Sequence, residues 1–398
     1  MATEAKKWCL NTNYVYISFV SYLISSAPFC RHPDPRPCGC FCTRHQSKGQ
    51  SQRNAVIGGA MASQVSALRL FDLIQSHRVT AVIYVAARLG LAELLSYGPQ
   101  TPGKLAKATG ADERALGRLL TALSTIGICE RSGEDSYALT EVGACLDSSA
   151  KHSVKSWAIL ESELLSKSWS GMLESVMTGK TLAELQGIAD SFELMGRSPD
   201  IVGKFNLAMT ELTRLVTPDI LRSYDFSGIS HLMDVGGGSG ELLGAIAQQN
   251  PKLRGTVFDL PRCAEAAGRH LQQIGVSDRV KFVAGDFFKS VPAIADAIIL
   301  KSIIHDWNDT RSISILRNCR EALPSNGRLL LVERLMPEKP TATDEDKAHA
   351  MSDLNMMRGP GGCERTKGQY RELLEQSGFA LAAVHPAGRF NVIEARAA

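Results

Sequence analysis

The sequence predicts an α/β protein in which a doubly wound, mostly parallel sheet follows an α-helical winged-helix unit. Three observations carry that prediction. Short apolar runs at 231–235, 255–259, 280–284, 296–301 and 327–333 alternate with helical periodicity, the order that stacks helices on both faces of a parallel sheet. The first run ends in Asp234-Val-Gly-Gly-Gly-Ser-Gly240, a glycine-rich turn from the strand into a helix that starts near Ser239. Upstream, 101–110, 112–120 and 128–139 read as helix, turn, helix and hairpin.

From the N-terminus, residues 1–60 are set apart by composition. Lys6-Lys7, an apolar stretch from Tyr14 to Ile24 and Ser25-Ser-Ala27 imitate a secretory signal, but the apolar run falls short of the roughly 20 residues that span a bilayer. Pro33, Pro35, Pro37 and a polar run to Arg53 follow without helix or strand period. Metal binding by Cys38, Cys40 and Cys42 with His32 or His45 lacks paired C-x-x-C spacing. The expectation for 1–60 is a disordered extension from an upstream start, with a signal peptide as the second reading. Residues 61–150 form the expected winged-helix domain, opening on Val65, Leu68, Leu70, Phe71 and Ile74, and then Val82, Val85, Ala86 and Leu89, at helical spacing. Residues 151–225 read as helical, with Trp157 and Trp169 available for core or pocket walls. Residues 226–398 form the sheet domain, closed by an antiparallel pair at 379–384 and 390–395.

Composition is that of an ordinary globular chain, 44% hydrophobic and 21% charged. Of 44 Lys/Arg and 41 Asp/Glu, residues 1–60 hold seven and two, leaving 37 against 39, or −2, for the remainder. That balance gives a nucleic-acid partner no electrostatic support, and the second helix of the winged unit offers only Arg114 and Arg118 beside Asp112 and Glu113. Neither nucleic acid nor a membrane is expected as partner. Cys129, Cys145, Cys263, Cys319 and Cys363 are scattered without framework spacing and fit a reducing, cytoplasmic setting.

The glycines let the backbone approach a ligand, with Gly236, Gly237 and Gly238 at the turn. Such turns also hold pyrophosphates, and Asp234 helps to separate the cases: a carboxylate beside the loop repels phosphate and suits a ligand with a sulfonium and an ammonium. Asp259 closes the next strand, where a carboxylate accepts both ribose hydroxyls. Asp286 stands before Phe287 and Phe288, a carboxylate for an adenine amino group with a ring to stack on the base. Together these describe a site for S-adenosyl-L-methionine. The strand 296–301 then runs into Ser302-Ile-Ile-His305-Asp-Trp307, which puts His305 in the same tier as the glycine loop. An imidazole of reference pKa about 6.5 can take a proton from a phenol-like hydroxyl. Glu333 ends the strand 327–333 and Glu364 lies in Gly361-Gly-Cys-Glu-Arg-Thr366, so either can fix the tautomer of His305. This scheme needs no metal, and Asp306 and Asp309 are read as caps of the helix that follows.

From about 61 to 398 the chain resembles the small-molecule O-methyltransferases of the caffeate and hydroxyindole (acetylserotonin) type. The resemblance rests on Asp234-Val-Gly-Gly-Gly-Ser-Gly240, Phe258-Asp-Leu-Pro261, Gly285-Asp-Phe-Phe288, Lys301 ahead of His305-Asp-Trp307, and Gly361-Gly-Cys-Glu-Arg-Thr366. It implies a Rossmann-like methyltransferase domain behind a winged-helix dimerisation domain, a homodimer, and a small hydroxylated aromatic substrate. It also implies a base at His305 flanked by Glu333 and Glu364, and cofactor contacts from Gly236, Gly237, Asp259, Asp286, Phe287 and Lys301. Phe205-Asn-Leu-Ala-Met209 matches a family pattern on a helix lining the acceptor pocket, making Phe205, Met209 and Met356 acceptor candidates, although such residues at helical spacing also build plain core. Ser302 and Ile303 stand where plant relatives often carry larger aromatic residues, and Asn355 where an apolar residue is common, so the acceptor is not to be inferred from the plant phenylpropanoid enzymes.

Three other readings remain at this point. A nicotinamide oxidoreductase is favoured by the glycine spacing alone and opposed by Asp234. A metabolite-sensing DNA-binding regulator would use the winged helix and retain DNA in a salt-dependent way. A catalytically silent relative would bind the cofactor without turnover.

Overall fold

The computed structural model describes residues 63–398. The expectations for 1–60, including the signal-like stretch and the cysteine cluster, lie outside the described residues. The chain divides into two compact units, Met1–Leu68 and Arg69–Ala398. Of the first, residues 63–68 are described and are helical.

The second unit begins with the expected winged helix. Helix α1 (His77–Leu89) stops at Gly90, whose φ of 64° only glycine takes cheaply and whose N–H returns to the Ala86 and Ala87 carbonyls. Helices α2 (Pro102–Thr109) and α3 (Glu113–Thr125) start on Thr101 and Asp112, whose side chains accept the Lys104 and Ala115 amides. The hairpin β1 (Cys129–Ser132) and β2 (Ser136–Leu139) follows, and Leu91, Leu105, Leu116, Leu120, Leu123 and Tyr137 fill the core beneath it.

A short helix, Lys155–Leu160, passes into a π-helical turn, Glu161–Leu165, and on to Ser166–Trp169. The long helix α4 (Pro199–Ser223) fixes where that segment starts, because Glu211 accepts the Ser156 and Trp157 amides at 2.8 and 3.2 Å.

The sheet domain has strands β3 (His231–Val235), β4 (Arg254–Asp259), β5 (Val280–Ala284), β6 (Ala297–Lys301), β7 (Arg328–Glu333), β8 (Phe379–Ala387) and β9 (Phe390–Ala397) in the order β5-β4-β3-β6-β7-β9-β8. The first five are parallel and β9 joins antiparallel to both β7 and β8. The remaining helices are α5 (Glu241–Gln249), α6 (Ala264–Gln273), α7 (Asp309–Ala322), α8 (Asp344–Arg358) and α9 (Lys367–Gln376). One apolar cluster joins Leu243, Ile246, Val257 and Ile299 to Ile220 of α4, and a second joins Met233, Ile298 and Leu331 to Ile315 of α7 and Leu374 of α9. No helix among the described residues is long and apolar enough to cross a membrane.

Two boundaries differ from expectation. Helix α5 starts at Glu241 rather than near Ser239, because Gly240 sits at φ 75° and its N–H closes a turn on the Gly237 carbonyl at 2.8 Å. The closing strands run on to Ala387 and Ala397, since the tight connection at Gly388 (φ 62°) leaves both free to pair along their length.

Candidate active site

From β3 the chain winds outward to β4 and β5, then returns to β6 on the other side, which opens a crevice at the carboxyl ends of β3 and β6. Every cofactor candidate taken from the sequence sits on this edge or in the loops above it. Asp234 is 3% exposed, and burial pushes its carboxyl up to about 7, with Lys301 opposing and Asp259 adding to the rise. A carboxyl held this way favours a cationic ligand group, which would restore its charge. A Cβ on Gly236 would stand 2.4 Å from Ile303 Cδ1 and one on Gly237 2.7 Å from the Asp234 carboxylate, whereas Gly238, at φ 57°, faces open space. Gly238 donates its N–H to Asp259 Oδ2 at 2.8 Å and Leu260 donates to Oδ1 at 2.6 Å, so the loop and Asp259 hold one another while lone pairs remain for a ligand. A 2.9 Å hydroxyl contact between Thr210 and Ser239 ties α4 to the same loop.

Asp286 accepts the Phe288 amide at 2.9 Å, and Phe287 packs 3.7 Å from where a Gly236 Cβ would stand. Lys301 is half-buried; desolvation pulls its pKa down while Glu333 and Asp234 oppose the fall, and its ammonium donates to Ser302 Oγ at 3.3 Å. It is the cation between the glycine loop and the histidine turn. Ser302 has a φ of 55°, the one positive value outside glycine among the described residues, so the chain leaves β6 through a strained residue and drops directly into that turn.

His305 lies in a single 3₁₀ turn, Ile304–Asp306, and is 6% exposed. Its Nδ1 is 3.1 Å from Glu364 Oε1 and 3.5 Å from Glu333 Oε2. A carboxylate can only accept, so Nδ1–H donates in either protonation state and Nε2 has a free lone pair once the ring is neutral, with Asp306 Oδ1 3.6 Å from it. Glu333 is fully buried and its other oxygen accepts the Ile303 and Ile304 amides at 3.1 and 2.9 Å, holding the turn as well as the ring. Glu364 accepts the Ser352 hydroxyl at 2.6 Å. Burial disfavours a charged ring, but the two carboxylates outweigh it and hold the His305 pKa up to about 9. The three donor groups lie within 4.8 Å of one another, so a divalent cation would compete with the Nδ1 proton for one place.

The sequence reading of Asp306 and Asp309 as helix caps is corrected. Asn308, with extended backbone, caps α7 by accepting the Arg311 amide at 3.0 Å, whereas Asp309 is already helical. Asp309 instead pairs with Arg365 at 2.8 Å, and burial pushes the Asp306 carboxyl up to about 7. Arg365, 1% exposed, donates to the Ile304 and Trp307 carbonyls at 3.1 and 2.7 Å, bracketing His305 from behind. In the sequence it is only the residue after Glu364, and nothing there marks it as a clamp on the histidine turn. Ser352 gave no signal in the sequence, and Asp306 signalled a cap rather than a neighbour of His305 Nε2.

Of the acceptor candidates, Phe205 meets Phe192 edge-on at 6.4 Å, and Phe192 meets Trp307 at 5.5 Å, so α4 reaches the histidine turn through stacked rings. Met209 is half-buried and Met356 is buried. A separate cleft of about 240 Å³ is lined by Thr181, Asp190, Trp307, Arg311 and Gly362 and includes none of the expected cofactor or acceptor residues.

A switch-point crevice with a glycine loop, carboxylates at successive strand ends and a histidine across from them defines the class of S-adenosyl-L-methionine-dependent methyltransferases. The chain belongs to the O-methyltransferase family: the model of the O-methyltransferase domain matches residues 169–380 and that of the O-methyltransferase dimerisation domain residues 71–149. It is 38% identical over 328 residues to a phenazine O-methyltransferase of Lysobacter antibioticus, covering 82% of this chain and 95% of that protein. It is also similar to the solved structure of a mitomycin 7-O-methyltransferase (TM-score 0.76, 32% identity, 85% and 100% of the two chains covered). A neocarzinostatin-pathway O-methyltransferase solved with S-adenosylmethionine and 2-hydroxy-5-methyl naphthoic acid matches at TM-score 0.67 and 32% identity, covering 80% and 96%. The protein is thus an S-adenosyl-L-methionine-dependent O-methyltransferase of secondary metabolism, which disposes of the oxidoreductase reading.

Proposed function

We propose that the enzyme methylates a hydroxyl on a fused-ring aromatic metabolite, with His305 as the general base, and that it works as a homodimer in the cytoplasm. The observation that carries the chemistry is the doubly flanked Nδ1 of His305, which leaves Nε2 as the proton acceptor. S-adenosyl-L-methionine supplies the methyl group when bound. Asp234 would take its ammonium and Asp259 its ribose hydroxyls. Asp286 and Phe287 would hold the adenine, Gly236, Gly237 and Gly238 would let the backbone close on it, and Lys301 would offset the negative charge of Asp234 and Glu333 at the two ends of the crevice. Nε2 takes the acceptor's hydroxyl proton, and Glu333 and Glu364 stabilise the imidazolium that results. Phe205, Met209 and Met356 would form the apolar walls against the ring.

Support for a fused-ring acceptor comes from the relatives, whose names and ligands include a phenazine, a mitomycin and a naphthoic acid. The test is methyl transfer from labelled cofactor by the full chain, across hydroxylated naphthalenes, phenazines and simple phenols, with and without chelator. Chelator-resistant product on the fused rings is expected. Cofactor binding with no product on any acceptor would favour the silent relative, and chelator-sensitive product would assign the proton abstraction to a metal.

Asp259→Ala should weaken S-adenosylhomocysteine binding about 10- to 100-fold, the loss of charge-assisted hydrogen bonds to a ribose. Asp259→Asn, keeping one acceptor, should fall between. Unchanged affinity by calorimetry would remove Asp259 from the cofactor site.

A further inference from the structure

Arg358 closes α8 with 2% of its surface exposed, yet it has no ion pair among the described residues. Its guanidinium lies 4.4 Å over the Trp169 ring and donates to Ser168 Oγ and Asn355 Oδ1, both neutral, while Nε is buried without any partner. A basic residue in a last helical turn usually serves the terminal carbonyls, but these hydrogen bonds go to side chains instead. Burial lowers its pKa to about 10, and the half-buried Glu161, which opposes that shift, stands too far away to pair. Taking a guanidinium out of water is costly, and the Trp169 ring with two neutral acceptors offsets only part of that cost.

Its position is informative. Six residues back along α8, about 9 Å of helix rise, Ser352 donates to Glu364, the partner of His305. One turn back on the same face is Asn355, which accepts its hydrogen bond, whereas Met356, two residues back, turns to another face of the helix. On the other side is the stretch that follows the π-helical turn 161–165, a distortion that tends to mark functional positions. Ser191 closes the group by donating to the Gly359 carbonyl.

We propose that Arg358 binds a carboxylate on the aromatic acceptor, so that the substrate is an aromatic hydroxy acid whose hydroxyl faces His305 while its carboxylate pairs with the guanidinium. This rests on the O-methyltransferase reading. Arginine suits the task because its fork meets both carboxylate oxygens.

The experiment uses the full chain loaded with S-adenosylhomocysteine for binding, and with S-adenosylmethionine for turnover. Hydroxynaphthoic and hydroxyphenazine carboxylic acids are compared with the same rings lacking the carboxyl, for wild type, Arg358→Lys and Arg358→Met. Wild type should bind the acids at least about 10-fold more tightly. Arg358→Met should abolish that preference with the uncharged rings within about threefold of wild type, Arg358→Lys should keep part of it, and the Tm of Arg358→Met should not fall, since a buried unpaired charge is removed. Three results would overturn the proposal: no preference in wild type, a preference that survives in Arg358→Met, or equal losses on acids and uncharged rings with a lowered Tm, the mark of a structural arginine. Failure of S-adenosylhomocysteine to bind at all would instead strike at the methyltransferase reading beneath it.

Discussion

Replacing His305 with alanine is expected to lower kcat by a factor of about 10² to 10⁴, the usual worth of a general base, while S-adenosylhomocysteine affinity stays within about twofold. The separation follows from the geometry, because His305 is reached from β6 and held by Glu333 and Glu364, whereas the glycine loop belongs to β3. The pH profile adds a sharper expectation. With the ring pKa held up to about 9, His305 is protonated at neutral pH and cannot accept a proton. Activity should therefore rise with pH, about tenfold per unit, until the ring loses its proton near 9. Glu364→Gln removes one of the two carboxylates that hold the proton, so its limb should move to lower pH. Two acceptors of different hydroxyl acidity would separate the enzyme's limb from the substrate's. A limb that follows the acceptor and ignores Glu364→Gln would remove His305 from the role of base.

Gly362→Ala should cost about 10² in kcat although residue 362 carries no reactive group. A Cβ there would stand 2.1 Å from the His305 carbonyl oxygen and 2.5 Å from backbone atoms of Asp306 and Trp307. All three are main chain, anchored by Arg365 and Glu333, so no flexible side chain can move aside. The turn must shift, and an ångström of misplacement at a reacting group costs about 10². Overpacking should also lower stability by roughly 1–3 kcal/mol, read as a drop in Tm. Gly268→Ala on α6 is the control: nothing lies within 4 Å of its Cβ, and this helix-interior change should stabilise by about 0.5–1 kcal/mol. Normal turnover in Gly362→Ala would show that the turn has slack the packing does not suggest.

The sheet domain was legible because its strands are short and apolar and because parallel strands deliver their carboxyl ends to one edge, so Asp234, Asp259, Lys301 and Glu333 could be collected from sequence order alone. Glu364 comes from a loop far along the chain and was reached only through its motif, yet it meets the same Nδ1 as Glu333. Local chemistry was less readable where two residues compete for one task. Asn308 displaced Asp309 as the cap of α7 because a cap must have non-helical backbone, which side-chain type does not reveal. Ser352 and Arg358 were missed because α8 mixes charged and apolar residues without a clean stripe, leaving its inward face to tertiary packing.

The stretch from Gly361 to Thr366 touches His305 in three ways: Gly362 against its backbone, Glu364 on its ring, and Arg365 on the carbonyls either side. Thr366 then opens α9 with a reciprocal cap to Gln369, which moors the stretch to a rigid rod. Six consecutive residues thus fix the orientation of His305 as one block, while the side chains around Arg358 and Phe205 are drawn from other parts of the chain. With His305 as the proposed base and Arg358 and Phe205 as the proposed recognition groups, drift in those parts would change which molecule is modified and leave the proton-accepting apparatus intact, so a lineage built on this chain would have freedom to diversify its chemistry of recognition without rebuilding its chemistry of reaction.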